Sequence, residues 1–155
     1  MLRFPYGTEP IRQAPPTLAL GSRFRWRPLI PVRIHGSAGQ FRDYARALLD
    51  TGADDTVFPL SIAKAVGVTL VPVGGYGLRW RGQSHPLLFG AVELELVDSS
   101  GAVCRWPAVV GFSPAPIRYP ILGQAGCLNF FDARFLGEDR IVEVEANRAY
   151  PGTTI

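Results

Sequence analysis

The residues best placed to do chemistry follow a short apolar run. Ala47-Leu48-Leu49 leads into Asp50-Thr51-Gly52-Ala53, and Asp54-Asp55-Thr56-Val57 comes next. An apolar strand ending on an aspartate delivers a carboxylate to a turn. Gly52 lets the backbone turn tightly and approach a neighbour closely. The Thr51 hydroxyl can hold the loop through a local hydrogen bond. An acid on a stiff strand end is preorganised for general acid–base work. The competing reading is structural: an aspartate after a strand also makes an ordinary Asx turn.

Other chemistries find less support. Cys104 and Cys127 are the two cysteines, there is no Cys-x-x-Cys, and histidine is scarce, so the pattern argues against a zinc site. Both cysteines sit in apolar stretches and are expected to be buried free thiols. The net charge is +3, carried almost wholly by arginine, with Lys64 the single lysine. The arginines are scattered. The tightest group, Arg23, Arg25 and Arg27, reads as a solvated basic arm and not a nucleic-acid stripe. His35 and His85 are expected at the surface, and Trp26, Trp80 and Trp106 as packing residues. No apolar run is long enough to span a bilayer, and Met1 to Tyr6 lack the apolar core of a signal peptide. The expectation is a soluble, cytoplasmic chain without membrane or nucleic-acid partners.

The elements that must position Asp50 read as short strands. Fourteen prolines and seventeen glycines in 155 residues leave little room for long helices. Pro5, Pro10, Pro15 and Pro16 predict an irregular arm over residues 1–27. Leu29 to His35 and Phe41 to Leu49 read as a hairpin through Gly36-Ser37-Ala38-Gly39, and the second strand runs straight into Asp50. A strand at Thr56 to Phe58 follows, then a brief helix, Ile62 to Val66, capped by Ser61 and closed by Gly67. Gly74-Gly75-Tyr76-Gly77 suits a mobile hairpin tip, with Arg81-Gly82 as a second possible turn. Val92, Leu94 and Leu96 alternate with Glu93 and Glu95 in a half-buried strand. A turn at Asp98 to Gly101 precedes a strand from Val103 to Val110, placed at an edge by Pro107. Tyr119 to Leu122 is a short buried strand, and Val142 and Val144 oppose Glu143 and Glu145 in a last one. The sum is a mainly all-β domain over residues 28–146, with a C-terminal tail at 147–155.

The segment Leu48 to Val57 resembles the active-site run of retroviral aspartic proteases, the retropepsins. A second match is Val109 to Pro116 followed by Ile121-Leu122-Gly123. This is similar to the family's later strand, loop and hydrophobic-hydrophobic-Gly element, in which the apolar pair packs beneath the active-site loop and the glycine permits a close crossing. Cys127 to Phe130 looks like the family's terminal region. Gly74 to Gly77 falls about where the family places its flap tip. The resemblance covers roughly residues 29–135 and is nearest in style to small bacterial retropepsin-like proteins. One departure is clear: Gly123-Gln124 stands where retroviral enzymes carry Gly-Arg, so the family's arginine partner for the first aspartate after the motif is missing.

What the resemblance implies is a closed acid-protease barrel, single-lobed, in a two-fold homodimer. The dimer follows from chemistry. Peptide hydrolysis of this kind uses two facing carboxyl groups that share one proton and hold a water. The chain has one Asp-Thr-Gly and no Asp-Ser-Gly, so the second carboxyl would be Asp50 of another copy. Asp50, Thr51 and Gly52 would be catalytic. Ala53, Asp54, Asp55, Gly74, Gly75, Tyr76, Gly77 and Pro114 would contact a polypeptide substrate, and Ile121, Leu122 and Gly123 would support the site. No metal or organic cofactor is implied. Two other functions share these residues: a silent dimeric peptide-binding module, and a self-processing regulatory domain whose N-terminal arm occupies or leaves the cleft.

Overall fold

A computed structural model of the chain describes residues 1–18 and 22–154. In chain order the strands are β1 (Leu2–Pro5), β2 (Gly7–Pro10), β3 (Phe24–Arg27), β4 (Leu29–His35), β5 (Phe41–Leu49) and β6 (Val57–Pro59). After helix α1 (Ser61–Val66) come β7 (Val71–Trp80), β8 (Gln83–Val97), β9 (Val103–Ser113) and β10 (Ile121–Leu122). A 3-10 turn at Leu128–Phe130 leads to β11 (Phe131–Leu136), β12 (Ile141–Ala146) and β13 (Thr153–Thr154). The protein is mainly β, and the strands among the described residues form three sheets. The large mixed sheet runs β13-β9-β6-β10-β5-β4-β8-β7, with β8 also pairing to β9. A smaller antiparallel sheet runs β1-β12-β11, and β2 pairs with β3 alone.

Alternation makes β8 a strand with two faces. Leu87, Val92, Leu94 and Leu96 are buried, while Ala91 and Glu93 between them are exposed. Its register sets Leu94 opposite both Ile34 of β4 and Trp106 of β9, all three fully buried. Phe58, Phe112 and Trp106 are the largest side chains with no exposure. Truncating any one to alanine would cost about 3–5 kcal/mol. One continuous core joins the two larger sheets, since Leu2, Phe4, Val142 and Val144 belong to the same cluster as Leu94 and Trp106. Trp106 meets Phe131 edge-on at 4.9 Å between ring centroids, which locks β9 to β11.

Several expectations are corrected. The N-terminal arm is irregular only in part, at the described residues between β2 and β3: β1 pairs with β12 from Leu2↔Val144 to Pro5↔Ile141, and Leu2 and Phe4 are buried. Pro5 and Pro10 stand at strand ends, where the missing N–H is tolerated. The tail also joins the fold through β13, paired to Arg105 and Cys104 of β9. Strand β11 went unseen in the sequence because its pattern, buried only at Phe131, shows no clean alternation. Ser61 does not cap α1. Leu60 is the N-cap residue and makes no side-chain cap bond, whereas Gly67 closes the helix at φ 75° as expected. His35 is buried, and burial followed by the Arg105 charge pushes its pKa down. Glu143 is buried rather than solvated, and is paired with Arg3 at 3.1 Å and Arg134 at 3.5 Å. Trp106 packs in the core, but Trp26 is exposed, with the Arg140 guanidinium 4.1 Å from its ring centre. Cys104 and Cys127 are buried free thiols, and burial pushes Cys127 up to about 12.

The glycine-rich segment is also placed differently. Gly74 to Gly77 lie within β7, across a register shift between Pro72 and Gly77, and not at a hairpin tip. The β7–β8 turn is Arg81-Gly82, both residues with positive φ (50° and 77°). Two left-handed residues in succession match the right-handed twist of a two-residue hairpin. That geometry favours Arg81-Gly82 over a longer glycine-rich loop.

Candidate active site

Strand β5 carries the chain to Asp50, and β10 lies parallel to it, Ile121 beside Leu48 and Leu122 beside Leu49. The ladder continues past the strand ends, since the Asp50 N–H donates to the Leu122 carbonyl at 3.0 Å. The chain then turns sharply. The Gly52 N–H donates to Asp50 Oδ1 at 2.9 Å, and the Ala53 N–H to the Asp50 carbonyl at 3.3 Å. This is the Asx turn of the structural reading. Its surroundings carry the case for chemistry.

Residues 53–56 are stitched to residues 123–125. The Gln124 N–H donates to the Ala53 carbonyl at 2.9 Å, the Ala125 N–H to the Asp54 carbonyl at 2.8 Å, and the Thr56 N–H to the Ala125 carbonyl at 3.0 Å. The Gly123 N–H donates to Thr56 Oγ1 at 3.2 Å, and Thr56 is buried. Gly123 has to be glycine, because a Cβ there would lie 2.3 Å from the Asp55 carbonyl oxygen and 2.8 Å from that of Ala53. The loop bearing Asp50 and the segment after β10 thus cross at backbone contact, with Leu122 fully buried at the crossing. The Leu122 carbonyl on one side and the turn and crossing bonds on the other hold the Asp50 backbone from both sides.

Two cavities meet at Asp50. One, of about 410 Å³, is lined by Asp50, Gly52 to Asp55, Ile121, Leu87 and the β7 stretch Gly77 to Trp80. The other, of about 300 Å³, lies on the Leu48 side and is walled by Glu9, Arg27, Trp80, Arg81, Arg118 and Tyr119. Trp80 and Ile121 stand in both walls. The Trp80 Nε1 is buried and has no hydrogen-bond partner among the described residues. A larger concavity of about 710 Å³ at Asp132 and residues 146–149 has no contact with Asp50. It is a shallow surface hollow, so size alone does not mark the site.

Most of the sequence-predicted residues gather here. Asp50, Gly52, Ala53, Asp54, Asp55 and Gly77 line one cavity together, and Thr51 borders a third opening with Asp50 and Phe135. Gly74, Gly75, Tyr76 and Pro114 line none of these openings. All four are exposed, and the Tyr76 ring packs edge-on against Phe89 at 5.6 Å. Asp55 is half-buried. Desolvation, helped by the Asp54 charge, raises its pKa above that of an ordinary aspartate. Neither carboxylate has an ion-pair partner among the described residues.

Sequence reasoning missed three contributors. Thr56 stood inside the matched run, yet its hydroxyl's role shows only once the loop and Gly123 are brought together. Gln124 fills the departure position, and its Nε2 donates to the Thr51 carbonyl at 2.9 Å. That bond, not one from the Thr51 hydroxyl, steadies the turn. Arg118 pairs with Glu9 at 2.8 Å across the cavity mouth, a contact spanning the chain that no local pattern announces.

No protein-family model matches this sequence, and a search of curated proteins finds no match.

Proposed function

We propose that this chain is an aspartic endopeptidase of the retroviral type, cleaving extended polypeptides in a homodimer to which each copy contributes Asp50. The observation that carries the reading is the doubly held turn. Asp50 sits at the end of β5, fixed by Leu122 on one side and by the Gly123–Thr56 crossing behind it, with two cavities open on its flanks. A carboxylate that only capped a turn would need neither the close crossing nor the openings. Strand order supports a closed barrel: the pairings β9-β6-β10-β5-β4-β8 return from β8 to β9.

The chemistry needs a second carboxyl, and the partner's copy of the same residue supplies it on a two-fold axis. The pair holds one proton and one water. The ionised member takes a proton from water as it attacks the scissile carbonyl, and the protonated member polarises the carbonyl oxygen. The exposed Thr51 and Gly52 and the exposed Phe135 beside them give the partner a surface to meet. Asp54 and Asp55 line the cleft where substrate backbone would lie, and the β7–β8 hairpin with its Arg81-Gly82 tip is the element positioned to cover it. The mechanism calls for no metal or organic cofactor.

The test is cleavage of an unstructured protein. The parent should cut it, pepstatin should block the cut, and folded Asp50→Asn should lose all activity. Specific activity should fall on dilution as light scattering shows dimer giving way to monomer, by mass action. Full activity in Asp50→Asn, or constant specific activity in the monomer, sinks the assignment. One observation favours a regulatory variant of the reading: β2 and β3 place Glu9 and Arg27 in the wall of an Asp50 cavity. Cleavage within the N-terminal residues at a rate independent of concentration while the dimer persists, and lost when the dimer dissociates, would mark that alternative.

A further inference from the structure

The two cavities flanking Asp50 differ in charge. On one side Asp54 and Asp55 face a single basic group, Arg79. On the other, three guanidinium groups, Arg27, Arg81 and Arg118, share the wall with one carboxylate besides Asp50, that of Glu9. Glu9 is committed already. Its Oε1 accepts from Arg118 at 2.8 Å and its Oε2 from Arg27 at 3.1 Å. Arg81 has no carboxylate partner among the described residues. It stands at the hairpin turn with φ 50°, its guanidinium 5.8 Å from the Trp80 ring centre. Arg118 is 60% exposed in its side chain and has further donors beyond the one given to Glu9.

We infer that the Leu48-side cavity is a specificity subsite that takes an acidic side chain of the substrate next to the cleaved bond, with Arg81 as its principal determinant. The inference rests on the peptidase reading above. The volume suits it: about 300 Å³ accepts a glutamate side chain with some water. Leu48, Tyr119 and Ile121 offer apolar cover to the methylenes, and the guanidinium groups offer planar forks to the carboxylate. The Glu9 carboxylate, held by two of these arginines, displays the recognition within the molecule. Arg27 and Glu9 come from β3 and β2, so part of the wall, and the carboxylate in it besides Asp50, lies outside the stretch that resembles the protease family.

The experiment uses the full chain. Sites cut in an unstructured protein are mapped by mass spectrometry, and a peptide pair is made from one site with Glu or Gln next to the cleaved bond. The Glu peptide should show kcat/KM higher by about three- to five-fold at low ionic strength, the range of a partly exposed ion pair. The ratio should decline towards one in molar salt, where screening acts within a few ångströms. Arg81→Gln should bring the ratio near one and Arg81→Lys should retain it. Glu9→Gln, which frees two guanidinium groups, should raise it. Equal cleavage of the two peptides by the parent, or a ratio unmoved in both Arg81→Gln and Glu9→Gln, overturns the subsite while leaving the peptidase intact. Failure to cleave either peptide or the unstructured protein overturns the peptidase reading, and this inference with it.

Discussion

Replacing Thr56 by valine isolates the bond that holds the Asp50 loop from behind. Thr56 is 1% exposed, and its Oγ1 accepts the Gly123 N–H at 3.2 Å. Gly123 N–H has no other partner among the described residues. Valine matches threonine in shape, so packing is kept and one acceptor is removed. The Gly123 N–H is then buried with nothing to receive it, at a cost of about 1–3 kcal/mol. Taking the middle, about 2 kcal/mol, the melting temperature should fall by about 4–8 °C for a domain of this size. Urea unfolding followed by tryptophan fluorescence should show a lower midpoint at unchanged slope, since the surface exposed on unfolding is the same. Thr56→Ser is the control. It keeps the acceptor and loses one buried methyl, about 1 kcal/mol. The valine variant should be the less stable of the two. A valine variant within about 0.5 kcal/mol of the parent would show that the hydroxyl is not the anchor.

Three further outcomes are expected. Gly123→Ala must push apart two backbone segments, because the new Cβ would lie 2.3 Å from the Asp55 carbonyl oxygen. Overpacking of this kind costs about 1–3 kcal/mol, read by the same urea titration, and peptidase activity should fall further than stability does. Asp55 carries a folded-state pKa above its unfolded one, so the folded state binds the extra proton and stability falls as pH rises from the unfolded value through the folded one. Asp55→Asn should flatten that decline and be more stable than the parent at neutral pH; a steeper decline by thermal melts across pH 4–7 (roughly the carboxylate range) would contradict the assignment. Phe4→Ala should cost about 3–5 kcal/mol by chemical denaturation if β1 is part of the core, and near zero if residues 1–5 are an appendage.

Legibility followed periodicity. The β8 alternation of Val92, Leu94 and Leu96, the β4–β5 hairpin, the short helix ended by Gly67 and the strand running into Asp50 were all readable, because burial of one face imposes a period on the residues. The cluster of Asp50, Gly52, Ala53, Asp54 and Asp55 was readable too, since those residues are neighbours in sequence. What stayed hidden was non-local. Nothing near Leu2 or Phe4 announces a strand, and their pairing with β12 exists only because Val142 and Val144 offer a surface some 140 residues away. The hairpin tip was misplaced for a different reason. Three glycines around Tyr76 outweigh Arg81-Gly82 in composition, yet two residues with positive φ suffice to close a hairpin, and only Gly75 of the richer cluster adopts one. Glycine content marks permission to turn, and the pairing of Leu78 to Trp80 with Gln83 to His85 decides where the turn is made.

The N-terminal residues divide into a part that cannot leave the fold and a part that can. Leu2 and Phe4 are each 2% exposed, so detaching β1 uncovers two side chains worth about 1.5–3 kcal/mol apiece. The β1–β12 ladder is lost as well. Against a total stability of about 5–15 kcal/mol, that loss approaches global unfolding. The β2–β3 pair is held by weaker ties. Arg46 donates to the Thr8 carbonyl, Arg118 and Arg27 pair with Glu9, and Arg140 lies over the exposed Trp26 ring. The Arg118–Glu9 pair, exposed on its arginine side, contributes about 0–1 kcal/mol, the Arg27–Glu9 pair is half-buried, and an exposed cation–π contact adds about 0.5–1 kcal/mol. A two-stranded ribbon adds little stability of its own. The division therefore falls near Tyr6, whose N–H is fixed to the Arg140 carbonyl at 2.7 Å. If the N-terminus governs access to Asp50, β1 is the fixed end and the β2–β3 hairpin the moving one, with the Glu9–Arg118 pair as its latch. Opening that latch would expose the arginines of the proposed acidic subsite, so the proposed regulation and the proposed specificity would draw on the same few charges.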